Sequence, residues 1–176
     1  MSIIKKYQYA LKLHEKEEYK KAYDYFLELA NSNDANSQEM VANMLYHGSG
    51  VKEDKECALD WYEKAAINGN IEAQYWYGRK KLEQDHIDEG IFWIKKSANN
   101  NYSDALRSLG LYYLDEKYFN KNVNKAIILL KKAFFEYGNK EAFPDLLYAL
   151  GIKYNKWKVL SIIIKNTFEM FLKKLK

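Results

Sequence analysis

The chain has 176 residues and a net charge of +4, and 48% of it is hydrophobic. Its single proline and eight glycines are too few for a fold built on many tight turns, and its single cysteine excludes an internal disulfide. Residues 151–176 carry seven lysines and one glutamate, so they are +6 and the rest sums to −2, which argues against the long basic groove of a nucleic-acid binder. No secretory signal is visible at the N-terminus, and we expect a cytoplasmic protein.

The first predicted elements are four amphipathic helices at regular distances. Each has a small residue first, bulky apolar residues fourth and fifth, and mostly small residues eighth and ninth. They start at Ala22, Ala58, Gly90 and Ala126, which are 36, 32 and 36 residues apart. Apolar residues at i, i+3, i+4 and i+7 form one stripe of a helix, and a fixed period indicates a repeat array.

A further helix is predicted before each of these. Such helices open at Ser37, Ala73 and Ala105, with a degenerate copy from Ala142, and each carries an apolar–small pair that lets a neighbouring helix approach closely. Asp54 and Asn122 occupy N-cap places. Three residues hold the place after the second helix, where a left-handed conformation is common: Asn33, Gly69 and Asn101.

The clearest copy, residues 37–69, contains Gly48–Ser49–Gly50–Val51, Asp54, Trp61–Tyr62, Lys64–Ala65–Ala66 and Gly69. It resembles the Sel1-like repeat, a relative of the tetratricopeptide repeat. The resemblance implies an all-α, right-handed superhelical solenoid of antiparallel helix pairs. We expect a single repeat domain over 1–176, with repeats at 5–36, 37–72, 73–104 and 105–141 and a degenerate repeat with a capping helix at 142–176. The first and third copies lack about one helical turn between their two helices.

The stretch HGSGVKED at 47–54 could be a catalytic loop or a turn. The resemblance makes it the loop between two helices, and the corresponding loops of the third and fourth copies contain no glycine. Ser49 has no partnered base in the sequence, and His14, His47 and His86 fall in three different repeats. Cys57 precedes a packing position and is interpreted as a partly buried structural thiol. We therefore expect no catalytic residue, no metal, no cofactor and no enzymatic activity.

One helix face departs from an ordinary solvated surface. The third, seventh and tenth positions of the first helices lie opposite the predicted core, yet they are rich in tyrosine, arginine and leucine, which favour binding to another protein. In tetratricopeptide-like arrays the first helices line the concave groove. The predicted partner-binding residues are Tyr7, Leu11, Glu39, Asn43, Tyr46, Tyr75, Arg79, Leu82, Arg107, Leu111, Leu114 and Tyr148. The alternative is that some of them pack against neighbouring first helices.

The C-terminal segment predicts one more amphipathic helix. Its apolar residues are Leu160, Ile163, Ile164, Thr167, Phe168, Phe171, Leu172 and Leu175. Capping of the array is the favoured role, because Lys165 and Glu169 stand beside this stripe in a solvated pattern. Association with a membrane surface through the basic end is the competing role.

The function that the resemblance implies is non-catalytic protein binding. A bacterial cytoplasmic inhibitor or immunity-type protein is the favoured form, with a toxin or a regulated enzyme as its partner and no nucleic acid. The alternative is an adaptor or chaperone-like scaffold in a larger assembly. The sequence leaves the oligomeric state open.

Overall fold

A computed structural model describes the backbone of residues 2–174 and the side chains of residues 2–169. This part of the chain forms ten α-helices and no strand. The helices are α1 (Ile3–Glu15), α2 (Tyr19–Asn31), α3 (Ala35–His47), α4 (Lys55–Ile67), α5 (Ile71–Glu83), α6 (Ile87–Asn99), α7 (Ser103–Tyr112), α8 (Val123–Lys131), α9 (Ala142–Lys153) and α10 (Lys156–Lys174).

The helices group into two compact units, Met1–Trp93 and Ile94–Lys176, with the boundary inside α6. In the first unit each of α1 to α4 packs against the helix that follows it. In the second unit α7 packs on α8, α8 on α9, and α10 on α9. Consecutive packing of helix pairs agrees with the predicted repeats, while a single domain over the whole chain stays a prediction.

Small residues allow the helices of the first unit to approach closely, as the pattern predicts. Ala10, Ala22, Ala42 and Ala58 are fully buried. A Cβ atom on Gly90 would lie 2.7 Å from the carbonyl oxygen of Gly78, so α6 touches the backbone of α5 at this point. Any larger residue in this place would push the two helices apart.

The predicted helix ends are confirmed. The side chains of Asp54 and Asn122 accept hydrogen bonds from the backbone N–H groups three residues later, at 2.9 Å and 3.0 Å. Asn33, Gly69 and Asn101 have φ angles of 64°, 95° and 65°. These are the left-handed conformations that end a helix.

The second unit contains an irregular turn. After α8 the chain continues as a π-helical turn over Lys132–Glu136. The turn coincides with Phe134, which takes the place that alanine holds in the first three copies, and its ring lies 4.8 Å from that of Phe143 on α9. Helix packing remains close elsewhere, since a Cβ atom on Gly110 would lie 2.8 Å from Leu130 Cγ.

The last helix, α10, packs on α9 and the π-helical turn, but most of the face that the sequence predicts is left exposed. Leu160, Ile164 and Phe168 of the predicted stripe are exposed, and the expectation that they cover the fifth repeat is wrong. The half-buried residues of α10 are Val159, Ile162, Ile163 and Asn166, of which Ile163 alone belongs to the predicted stripe. The calls on Phe171, Leu172 and Leu175, and on the lysines at 173, 174 and 176, lie outside the described side chains.

Among the described residues, no helix combines the length and the apolar character that crossing a bilayer requires.

Candidate partner-binding surface

In the first unit α1, α3 and α5 lie side by side. Tyr7 and Leu11 on α1 pack against the same buried cluster as Tyr46 on α3, and Lys80 on α5 donates a hydrogen bond to the Tyr46 hydroxyl at 3.3 Å. Predicted residues of α1 and α3 therefore lie around one cluster, and α5 is joined to α3 at Tyr46. Tyr7, Leu11, Asn43, Tyr46 and Arg79 are half-buried there.

Three of the predicted contact residues are buried, which corrects the sequence-based expectation. Glu39, Tyr75 and Leu82 have only 7%, 6% and 8% of their surface exposed. Leu82 packs on Gly90, because a Cβ atom there would lie 2.6 Å from Leu82 Cγ. These three side chains pack inside the array, and Leu82 does so against α6, the second helix of its own repeat.

Glu39 belongs to a buried polar network. Asn43 donates to the Glu39 carboxylate through its amide nitrogen and accepts from the Tyr62 hydroxyl through its amide oxygen. Burial, and next the negative charge of Glu72, raise the pKa of Glu39 to about 7. Burial and the charge of Glu39 likewise raise the pKa of Tyr7.

A cleft of about 140 Å³ opens beside Tyr46, and we call it the Tyr46 cleft. Its lining residues come from α3, α4, α5 and the C-cap position after α5: Tyr46, Lys55, Glu56, Leu59, Tyr62, Lys80 and Gln84. The ammonium groups of Lys55 and Lys80 lie 5.6 Å and 5.0 Å from the centre of the Tyr46 ring. Two cations at this distance attract the ring electrostatically and fix its position.

The two lysines of the Tyr46 cleft are themselves paired. Lys55 lies 3.1 Å from a carboxylate oxygen of Glu53, and Lys80 lies 2.7 Å from one of Glu83. The cleft is therefore lined by compensated charges rather than by a bare positive patch. Sequence analysis did not predict Lys55 and Lys80 as site residues, because neither lies at the third, seventh or tenth position of a first helix.

The predicted residues of the second unit have different surroundings. Arg107 on α7 donates to Asp145 at 2.6 Å and to Glu141 at 2.8 Å, so its guanidinium joins two repeats. Leu111 and Leu114 are half-buried. Tyr148 on α9 is 65% exposed. Of these four residues, Tyr148 is thus the one with an open surface.

The glycine-containing loop at 47–54 is a turn, as interpreted from the sequence. Gly48 ends α3 in the left-handed conformation, and the backbone N–H of Ser49 donates to the Met44 carbonyl at 2.9 Å. Gly50 also has a positive φ, of 74°. The loop then meets Asp54, which caps α4.

The other chemically reactive side chains are dispersed. His47 and His86 are exposed at helix ends, whereas His14 is half-buried against Tyr19. Cys57 is half-buried as predicted, and burial raises the pKa of its thiol. Within the described residues, no three His, Cys, Asp or Glu side chains converge as metal ligands.

The repeat pattern matches a known family model. The model for the Sel1 repeat matches residues 35–70, 72–102 and 103–134, more than half of the chain. The chain belongs to the Sel1 repeat family. Sel1 repeats are protein-interaction modules, so the coarse prediction of a protein-interaction module is confirmed.

Solved structures support the same fold. The Sel1 repeat protein from Oxalobacter formigenes is similar with a TM-score of 0.79 at 20% identity, over 96% of this chain and 73% of that one. The Escherichia coli protein c5321, a protective antigen of uropathogenic strains with this repeat fold, also gives 0.79, at 22% identity over 98% of this chain and 38% of that one. MamA is similar with a TM-score of 0.57 at 20% identity, over 98% of this chain and 93% of that one. The predicted all-α solenoid class is confirmed.

Proposed function

We propose that this Sel1 repeat protein is a non-catalytic module that binds a partner protein at the Tyr46 cleft. The observation that carries this proposal is the Tyr46 ring, which lines a preformed cleft and has the ammonium groups of Lys55 and Lys80 at 5.6 Å and 5.0 Å from its centre. Tyrosine and arginine are enriched among the residues that contribute most to the binding energy of protein interfaces. Arg79, another predicted contact residue, directly precedes Lys80 on α5. Partner recognition then needs little rearrangement, which lowers the entropic cost of binding.

The size of the cleft favours a protein side chain over a small-molecule ligand. Its volume of about 140 Å³ is well below the roughly 300 Å³ at which sites for drug-sized ligands and cofactors begin. A single bulky side chain of a partner fits such a space. Leu59 and Tyr62 give it an apolar floor, while the paired lysines give polar contacts at the rim.

The form of this function that we favour is a bacterial cytoplasmic inhibitor or immunity-type protein, with a toxin or a regulated enzyme as the partner. A half-buried thiol and the single cysteine fit a reducing compartment. One small, preformed cleft suits one defined partner side chain, as a stoichiometric inhibitor requires. A scaffold that holds several partners is the alternative outcome.

Site-specific photocrosslinking tests the proposal. The photoreactive amino acid benzoylphenylalanine replaces Tyr46 in one variant and Tyr137, an exposed tyrosine of the second unit, in a control variant. We expect a crosslinked protein of one mass from position 46 and none of that mass from position 137. Equal crosslinking from both positions, or from neither, contradicts a partner site at the cleft.

The identified partner then separates the two forms of the function. A tight one-to-one complex that blocks the partner's own activity supports the inhibitor. Weak binding of several unrelated proteins, with no effect on their activities, supports the scaffold. Tyr46→Ala should weaken the complex by about 2 kcal/mol in either case, as for a central contact residue.

A further inference from the structure

An apolar stripe on α10 faces away from the rest of the protein. Trp157, Leu160, Ile164 and Phe168 are 78%, 48%, 60% and 60% exposed. Their spacing of three, four and four residues places all of them on one side of the helix. Four large apolar side chains in a row form a continuous surface rather than scattered exposure.

The packing of α10 on its neighbours leaves this stripe unused. The half-buried residues Val159, Ile162, Ile163 and Asn166 form another side of the helix, while α10 packs on α9 and the π-helical turn. At about 100° per residue the centres of the two sides are about 150° apart. The helix therefore has one apolar side for its own unit and a second one for something else.

The charge of the segment indicates what covers the second side. Residues 151–176 carry +6, and Lys156, Lys158 and Lys165 are exposed on the described part of α10. A second copy of the chain would bring an equal positive charge against it, which opposes pairing of the two helices. An anionic lipid surface supplies the opposite charge and an apolar layer below it.

We propose that α10 docks in the plane of an anionic bilayer surface through Trp157, Leu160, Ile164 and Phe168. Tryptophan is enriched at the boundary between headgroups and acyl chains, and Trp157, near the start of the helix, anchors it there. The exposed lysines bind the lipid phosphates. This activity goes beyond partner binding at the Tyr46 cleft, which belongs to the other unit and does not need a membrane.

Co-sedimentation of the full chain with vesicles tests this docking. We expect binding to vesicles of phosphatidylcholine mixed with phosphatidylglycerol, and at least about tenfold weaker binding to phosphatidylcholine alone. Binding should weaken as salt rises, because surface charges are screened. Failure to bind the anionic vesicles would overturn the proposal.

Three variants identify the surface used. The double variant Leu160→Glu, Phe168→Glu should lose binding, and the triple variant Lys156→Glu, Lys158→Glu, Lys165→Glu should lose it by at least about tenfold. Ile128→Glu, which alters an exposed apolar residue of α8, is the matched control and should bind like the wild type. All should keep the wild-type circular dichroism spectrum, since none of the altered side chains is buried. Unchanged binding by the double variant would rule out the stripe.

Sedimentation velocity without lipid tests the other occupant. We expect a single species whose sedimentation coefficient does not depend on protein concentration, because the stripe on α10 does not mediate self-association. A dimer that disappears in the Leu160→Glu, Phe168→Glu variant would show that a second copy covers the stripe, and would overturn membrane docking.

Discussion

Gly50 in the loop after α3 lies directly against Tyr19 at the start of α2. A Cβ atom on Gly50 would be 2.4 Å from the Tyr19 carbonyl carbon and 2.6 Å from the backbone nitrogen of Lys20. The loop between the helices of the second repeat is therefore in backbone contact with the first repeat. Its glycines serve packing and a left-handed conformation.

Gly50→Ala should destabilise the protein by roughly 3 kcal/mol or more, because backbone atoms must move to admit the methyl group. Gly69→Ala is the matched control: Gly69 also has a positive φ, but nothing lies within 4 Å of its added Cβ atom. The free energy of unfolding of that variant should fall by only about 1 kcal/mol, the cost of placing alanine in a left-handed conformation. Urea denaturation measures both, and equal losses would disprove the close contact. Ser49→Ala in the same loop should leave stability unchanged.

The buried Glu39 carboxyl should make stability depend on pH. Its pKa is about 7 in the folded protein, against 4.5 for a free glutamate, so the folded state binds the proton more tightly. Stability from this group is present at acidic pH and is lost as the pH rises from about 4.5 through 7, by up to roughly 3 kcal/mol. The negative charge of Glu72 on α5 strengthens this effect, while the hydrogen bond from Asn43 to the Glu39 carboxylate opposes it.

Glu39→Gln keeps the shape of the side chain and removes the titration. The variant should gain stability relative to the wild type as the pH rises from about 5 to about 8, measured by urea denaturation at each pH. Glu56→Gln, at an exposed glutamate of α4, is the control for the general effect of removing one carboxylate. A wild-type-minus-variant difference that stays constant with pH would show that Glu39 is ionised throughout.

The guanidinium of Arg107 should stabilise the second unit. It joins α7 to Asp145 on α9 at 2.6 Å, and both side chains are more than two-thirds buried. A double-mutant cycle with Arg107→Ala and Asp145→Ala should give a coupling free energy of about 1 kcal/mol. The same cycle with Glu141, whose side chain is 76% exposed, should give much less. Equal couplings would mean that burial does not strengthen the Asp145 pair.

Sequence analysis was successful where the signal is local or periodic. Helix pairs follow from the apolar spacing, the buried places of Ala22 and Ala58 from the small residues, and the N-cap of α4 from Asp54. The conformations of the short turns after α1 and α5 could not be predicted in this way. They are closed by Glu17 and Asp85 in left-handed conformations, with φ of 61° in each, which residues other than glycine adopt infrequently.

The partner-binding face of the first helices was harder to predict than the helices themselves. A helical wheel treats each helix as isolated and assigns it a single buried side. A helix in a repeat array packs against its pair partner and also against the neighbouring repeats. Gln38 and Gln74 illustrate the second kind of contact: each donates to the last turn of the preceding helix, at the Ala30 and Ala66 carbonyls, 3.1 Å and 3.2 Å away. A wheel does not contain these neighbours, so Glu39 and Tyr75 were placed on the surface.

Tyr75 and Arg79 therefore should respond differently to substitution. Tyr75→Ala removes a ring that is 6% exposed and should cost about 3 kcal/mol of stability, as for other large buried side chains. The Arg79 side chain is 41% exposed and lies 3.8 Å from Glu83, so Arg79→Glu should change stability little. Arg79→Glu should instead weaken binding of the protein that crosslinks to position 46. Denaturation curves and a binding titration for each single variant decide the matter. A Tyr75→Ala variant that stays stable but no longer binds the partner would contradict this assignment. It would show that Tyr75 contacts the partner and becomes exposed on binding.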